Sequence, residues 1–166
     1  MDEPKTPLLA TVKNVEIAHV GWWNISNRDD WHPTEQNMAQ AVAAMSCPAV
    51  RRPVLKFGHT GEQGEGDPTL GSIDNLRLTD DGMGLIGDYV GIPGWLAEKD
   101  EDSGQSILSS AYPDRSGEFA ENFVCQVGHV HPFVVRAVAL LGVEAPASAH
   151  WNPCSICTRT PRRRKL

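Results

Sequence analysis

The sequence lacks every pattern that would attach the chain to a membrane or send it for secretion. It has no apolar run near the roughly 18 residues that a membrane-spanning helix needs. Its first sixteen residues, MDEPKTPLLATVKNVE, are acidic and lack the basic-then-apolar order of a signal peptide. These absences predict a cytosolic protein with no membrane partner.

Cysteine is scarce, with four residues in 166, and the spacing gives no disulfide framework. Cys47 and Cys125 are isolated, which in a cytosolic protein favours reduced core residues. Cys154 and Cys157 form a C-x-x-C, with His150 four residues before, but this is half of a structural zinc site and no second C-x-x-C exists. We therefore expect no metal site and no cofactor.

The common catalytic signatures are also missing. No G-x-S-x-G elbow is present, which disfavours an α/β-hydrolase. No H-E-x-x-H is present, which removes the commonest metalloprotease pattern. The Gly-rich loop 61–68 lacks the lysine and the following helix of a phosphate-binding loop. Any catalytic group must therefore belong to a constellation dispersed along the chain.

Positive charge is concentrated at the C-terminus. Five of the last eight residues are basic, and removing them lowers the net charge from −6 to −11. The acidic remainder does not fit a nucleic-acid binder, which needs clustered Lys and Arg for phosphate contacts. Residues 148–166 are predicted to be a flexible basic tail, and residues 1–147 a single folded domain.

The hydrophobic pattern predicts an α+β domain built on an antiparallel sheet or barrel, with six or seven strands and two or three helices. Thr34 is predicted to cap a helix over EQNMAQAVAAM, and Pro93 to open a short helix at PGWLAEK. Asp80-Asp81-Gly82 is a hairpin signal between two strands. NISNRDDWHP, rich in turn residues, is predicted to be a loop.

Among the six histidines, His59 has the most suggestive position, at the end of the apolar strand RPVLKFGHT. A group there would lie at the rim of a sheet, although histidines at such positions are more often structural. His129 and His131 alternate along an extended segment and so face the same side, as a metal pair would. The sequence around them shows no Asp, Glu or Cys that obviously completes a metal site.

A serine nucleophile needs a base within reach. Ser116 follows Asp114-Arg115 and precedes Gly117, whose missing side chain would allow close backbone approach at an oxyanion pocket. Ser109 and Ser110 precede a Tyr-Pro turn and can equally be capping or loop residues. Taken by themselves these serines are explained as ordinary turn hydroxyls.

Four segments in this order resemble the capsid maturation (prohead) proteases of tailed bacteriophages, especially those of phages of actinobacteria. They are PAVRRPVLKFGHT, PTLGSIDNLRLTDDGMGLIGDYVGIPGWLAE, SAYPDRSGEF and HPFVVRAVALLGVEAPA, and the resemblance runs from about Pro7 to Ala147. It implies the herpesvirus-protease-like fold, a small antiparallel β-barrel with peripheral helices. It also implies a serine endopeptidase that cleaves scaffold protein, extensions of the major capsid protein and itself, inside the procapsid in the host cytoplasm. A homodimer is implied in the same way.

The same resemblance suggests the catalytic residues. The family histidine, in a GHT-like context, falls on His59, and the family serine falls on Ser116. Many relatives carry an acid where this chain has Ala137. His131, just before PFVVRAVALL, is then the expected third member, by analogy with the second histidine of herpesvirus enzymes, and Glu118 is the alternative.

In this interpretation His59 takes the proton of Ser116, and His131 holds His59 in the right tautomer. Backbone N–H groups from a turn over 114–117 or from the VRAV strand are expected to hold the oxyanion. Arg115 is expected to order this loop or to add positive charge, and Gly117 to allow close backbone approach. A catalytically inactive capsid-assembly or scaffolding protein on the same fold is the alternative function. On composition alone, a small acidic β-rich binding module also remains open.

Overall fold

The computed structural model describes residues 8–21, 23–25, 28–59 and 66–142, with 23–25 and 28–31 described by their backbone. Within these residues there are eight strands and three helices: β1 (Leu9–His19), β2 (Trp23–Ile25), β3 (Arg28–Trp31), α1 (Glu35–Ala44), β4 (Val54–Phe57), β5 (Ser72–Leu78), β6 (Gly84–Pro93), α2 (Gly94–Ala97), α3 (Ile107–Ala111), β7 (Asp114–Val124) and β8 (Val130–Leu141). In this part of the chain no helix has both the length and the apolar character needed to cross a membrane. The predicted tail lies outside the described residues.

Six strands form one sheet in the order β1-β6-β5-β4-β8-β7. Every neighbouring pair is antiparallel except β4 and β8, which are parallel. The predicted α+β class is confirmed, but the predicted antiparallel barrel is wrong, because the sheet is mixed and not closed. In the described residues the edge strands β1 and β7 share no ladder; instead, the buried Arg115 side chain on β7 donates to the backbone oxygen of Glu16 on β1.

Helix α1 forms as its sequence predicts. The Thr34 hydroxyl accepts the backbone N–H of Asn37, and the Asn37 side chain accepts the backbone N–H of Thr34, so the first turn is capped in both directions. Met38, Ala41 and Ala44 fall on one face and are buried where the helix packs on β8.

The two turn predictions have opposite outcomes. Strands β5 and β6 are joined at Asp80-Asp81-Gly82, where Gly82 has a φ of +73° that glycine adopts without strain. The prediction that NISNRDDWHP forms a loop is wrong, because most of this segment belongs to the separate two-stranded hairpin β2–β3, in which Ile25 is paired with Arg28. Asn and Asp are turn formers, but here Asn24 lies within β2, and Asp29 and Asp30 lie within β3.

The main hydrophobic core covers one face of the six-stranded sheet. Its fully buried members include Val15, Ile17, Met38, Leu55, Ile73, Leu85, Ile92, Leu96, Phe133 and Val138. Because side chains alternate along a strand, the residues between core positions point to the opposite face. On β8 this places Val138 and Leu140 in the core and Ala137 and Ala139 on the other face.

Candidate active site

Three adjacent strands bring the candidate residues to one face of the sheet. Strand β8 lies between β4 and β7, and its Ala139 is paired with Lys56 on one side and Ser116 on the other. Two pairs further along, Glu118 on β7 faces Ala137. Ser116, Glu118 and Lys56 therefore share the non-core face, across two alanines whose methyl groups leave room for longer side chains above them.

His59 reaches this face because the chain bends directly after β4. The backbone N–H of Gly58 donates to the oxygen of Leu140 at 3.0 Å, and its φ of +63° then turns the chain. The imidazole of His59 lies against Glu118, with Nδ1 at 2.9 Å from Oε1. The His59 side chain is 42% exposed and that of Glu118 is 29% exposed, so the pair is accessible to a substrate.

Lys56 bridges the same two residues. Its ammonium donates to the Glu118 carboxylate at 3.0 and 3.4 Å and to the backbone oxygen of His59 at 3.2 Å. These bonds fix both ends of the His59–Glu118 contact. Sequence reasoning missed Lys56, although its alternation with the buried Leu55 in VLKF signalled that it faces away from the core.

The His59–Glu118 contact determines where His59 can accept a proton. An ionised carboxylate has no hydrogen to donate, so the Nδ1 of His59 must carry the proton of this bond. In the neutral ring the other nitrogen, Nε2, is then the basic one. Glu118 thus orients the ring and selects the tautomer that a general base needs.

Ser116 lies beside this pair on β7. It is two residues from Glu118 on the same face, which places the two Cα atoms roughly 7 Å apart. Ser116 is half-buried and makes no hydrogen bond to His59 in the described structure. Catalytic hydrogen bonds often tighten only when a substrate binds, so the missing bond does not exclude Ser116 as a nucleophile with His59 as its base.

His131, the expected third member, lies elsewhere. It is paired with Phe123, whereas Ser116 is paired with Ala139, eight residues further along β8. At about 3.3 Å per residue these positions are roughly 26 Å apart. The expectation that His131 orients His59 is therefore corrected, because the distance rules out a contact and the alternative, Glu118, makes it.

Arg115 and Gly117 belong to strand β7 rather than to a turn, so the expected turn over 114–117 is also corrected. The side chain of Arg115 is 5% exposed and points away from Ser116, toward β1. At Gly117 an added Cβ would lie 2.5 Å from the ring of Phe119, so glycine is needed there for this ring to pack. Neither residue contributes a side chain to the candidate site.

Ser109 and Ser110 lie in helix α3. The Ser109 hydroxyl accepts the backbone N–H of Ser106, and the Ser106 hydroxyl accepts that of Ser109, which closes a capping box. Ser110 continues the helix through its N–H to the oxygen of Ser106. Ser109 therefore has a structural role, and neither serine lies on β7 with Glu118.

Comparisons with known protein-family models, with curated proteins and with solved structures give no match to this chain. Its function is therefore inferred from the residues and their geometry.

Proposed function

We propose that the protein is a serine endopeptidase in which Ser116 is the nucleophile, His59 the general base and Glu118 the group that orients His59. The observation that carries the proposal is the 2.9 Å bond from His59 Nδ1 to Glu118, on the same strand face as Ser116. A serine, a histidine and a carboxylate that orients the histidine form the triad that recurs on unrelated folds.

The proposed proton transfers follow from the tautomer of His59, in which Nδ1 carries the proton and Nε2 is basic. As the Ser116 oxygen attacks the scissile carbonyl carbon, its proton passes to Nε2 of His59 and a tetrahedral intermediate forms. His59 gives this proton to the amine as the C–N bond breaks, which leaves an acyl-enzyme on Ser116. Water then attacks the acyl carbon, and His59 takes the proton of the water and returns it to the Ser116 oxygen as the acid is released. The Glu118 carboxylate stabilises the imidazolium that exists between these transfers.

Strand β7 is suited to present a peptide to Ser116. It is the last strand of the sheet, and β8 is its one ladder partner in the described residues. An edge strand offers backbone N–H and C=O groups on its open side, and an extended peptide can pair with them. The outward N–H groups near Ser116 are candidates for holding the oxyanion.

The substrate class rests on the resemblance to prohead proteases. Its acid position falls on Ala137, and Glu118 is the residue directly paired with Ala137 across the β7–β8 ladder. A carboxylate at Glu118 can therefore serve the same histidine from the neighbouring strand. The proposed substrates are scaffold protein, extensions of the major capsid protein and the enzyme itself, cut inside the procapsid, with a homodimer as the proposed working form.

The test separates an enzyme from an assembly protein on the same fold. The full chain is co-expressed with the cognate capsid and scaffold proteins, and fragments are identified by intact mass. The purified chain is also treated with a fluorophosphonate, which labels activated serines whatever the substrate. We expect site-specific cleavage and labelling at Ser116, both lost in Ser116→Ala and in His59→Ala.

Ser109→Ala and Ser110→Ala are the matched controls, and both should keep cleavage and labelling. Cleavage that survives in Ser116→Ala would move the nucleophile to another residue. Absence of both cleavage and labelling in a folded wild type would favour the inactive assembly protein.

A further inference from the structure

Four potential metal ligands meet at the end of the β7–β8 hairpin, far from Ser116. They are Cys47, Cys125, His129 and His131, and their ligand atoms all lie within 4.8 Å of one another. Cys47 follows helix α1 and Cys125 follows β7. His129 directly precedes β8, and His131 is the second residue of this strand. The contact between Cys47 Sγ and His129 Nδ1, at 3.9 Å, joins positions 82 residues apart in the chain.

We propose that these four residues bind a structural Zn²⁺ ion. Two cysteines and two histidines are the ligand set of tetrahedral zinc, with Zn–S about 2.3 Å and Zn–N about 2.0 Å. In such a tetrahedron the ligand atoms are roughly 3.3 to 3.8 Å apart. The observed limit of 4.8 Å requires the side chains to close by only about 1 Å.

The burial and hydrogen bonding of these residues favour a metal-binding role over ordinary packing. The Nε2 atom of His131 is buried and has no hydrogen-bond partner in the described part of the chain, a costly state that a bound metal would relieve. Cys125 is 4% exposed while His129 is exposed, so the cluster has both a buried anchor and an entry path. Both cysteines are free thiols.

The backbone holds three of the ligands in a tight turn. The N–H of Cys125 donates to the oxygen of His129 at 2.9 Å, and the N–H of Gly128 donates to the oxygen of Cys125 at 2.9 Å. The φ of Gly128 is +87°, which lets the turn close. Cys125, His129 and His131 are therefore positioned before any metal arrives, and Cys47 is the ligand brought by tertiary packing.

Four protein ligands leave no open coordination position, so the ion would be structural and not catalytic. It would tie the end of α1 to the β7–β8 turn, beside a small hydrophobic cluster that contains Ala44, Val50, Cys125 and Val134. This inference is independent of the proposed protease activity, because none of its residues contacts His59, Glu118 or Ser116.

The chain has a second set of ligands in its C-terminal segment, His150, Cys154 and Cys157. The experiment must therefore locate the metal as well as detect it. The full chain is purified in a reducing buffer, and Zn²⁺ affinity is measured by competition with a chromophoric chelator. Three samples are compared: wild type, Cys47→Ser, and the double variant Cys154→Ser/Cys157→Ser, which is the matched control.

We expect the double variant to bind about one Zn²⁺ per chain, and Cys47→Ser to weaken binding at the four-residue site by more than about 100-fold. If Cys47→Ser fails to fold, as judged by circular dichroism, His129→Ala replaces it in the comparison, because this change removes the exposed ligand. Zinc binding that disappears in the double variant and persists in Cys47→Ser would overturn the proposal, as would a wild type that binds no zinc.

A second measurement needs no variant of the four ligands. Co²⁺ added to the double variant should give thiolate charge-transfer absorption and the strong visible bands of a tetrahedral ion. The weak spectrum of an octahedral, water-bound Co²⁺ would overturn the assignment. Zinc should also raise the Tm of the double variant, and a chelator should lower it again.

Discussion

At the scale of single residues, the Glu118 carboxylate is shared by two partners. Its Oε1 atom accepts two hydrogen bonds, one from Nδ1 of His59 at 2.9 Å and one from the Lys56 ammonium at 3.0 Å. The Lys56 ammonium also holds the His59 backbone oxygen. Lys56 thus positions both members of the pair, while its charge competes with His59 for the carboxylate. The proposed triad therefore depends on a residue that is not itself a member of it.

Glu118→Gln tests the role of the charge. The amide can still occupy the space, but it offers no negative charge to the imidazolium that forms during catalysis. In the best-known triad the equivalent change lowers kcat by about 10⁴-fold, and we expect at least about 100-fold here because Glu118 is partly exposed. The measurement is kcat and its pH profile on a peptide that spans a bond cut during co-expression.

Glu121→Gln, the same change three residues along β7, is the control and should leave kcat unchanged. A Glu118→Gln enzyme with wild-type kcat and an unaltered pH profile would remove Glu118 from the proposed triad. His59 would then act as a base without an orienting carboxylate.

At the scale of elements, the β5–β6 turn depends on an aspartate whose ionisation is part of the fold. The Thr79 hydroxyl donates to Asp81 at 2.6 Å and the Met83 N–H donates to it at 3.0 Å. The Thr79 hydroxyl, followed by the Met83 N–H, holds the pKa of Asp81 below its ordinary value of 3.8. A carboxyl group with a depressed folded-state pKa stabilises the protein above its unfolded pKa, and this stabilisation is lost as the pH falls through the folded value.

Asp81→Ala should therefore lower the Tm at pH 7, and the difference from wild type should shrink as the pH falls below about 3.8. Asp80→Ala, in the same turn, is the control and should change the Tm little at either pH. Thermal unfolding followed by circular dichroism gives both comparisons. A difference for Asp81→Ala that is equal or larger at low pH would contradict the assignment.

Elements whose signals are local could be predicted from the sequence. The Thr34 cap, the Asp80-Asp81-Gly82 turn and the apolar strand before His59 are each specified within a few residues. Alternation also placed His129 and His131 on one side of their strand. The hairpin β2–β3 was missed because its turn-forming residues outnumber its strand formers.

What could not be predicted depends on pairings between distant parts of the chain. Glu118 meets His59 only because β8 inserts between their strands, and no spacing in the sequence reveals that insertion. Cys47 joins His129 and His131 through the packing of α1 on β8. The resemblance to prohead proteases suggested that His131 orients His59, and only the strand register shows that His131 lies far from His59 and Ser116.

At the scale of the whole molecule, the packing of the core against the sheet leaves no space for a side chain at Gly87. Gly87 on β6 is paired with Val15 on β1. A Cβ there would lie 2.4 Å from a methyl group of Ile73 and 2.9 Å from one of Ile17, and both isoleucines are fully buried. Close packing of this kind cannot accept another methyl group without moving its neighbours.

Gly87→Ala should lower the free energy of unfolding by about 1 to 3 kcal/mol, the usual cost of overpacking. Gly66→Ala is the control, since a Cβ there meets nothing within 4 Å. Urea denaturation of the two variants and wild type measures the difference. A Gly87→Ala protein as stable as wild type would mean that the sheet moves apart more easily than its packing indicates.

The position of β8 between β4 and β7 also determines when, during synthesis of the chain, the candidate residues can come together. A ribosome delivers β4 with His59 first, then β7 with Ser116 and Glu118, and β8 after both. Until β8 has emerged, the strands that carry these three residues have no common neighbour to align them. The proposed protease would therefore be inert while it is being translated, and it would become able to cut peptides only after the strand between its three proposed catalytic residues has been made.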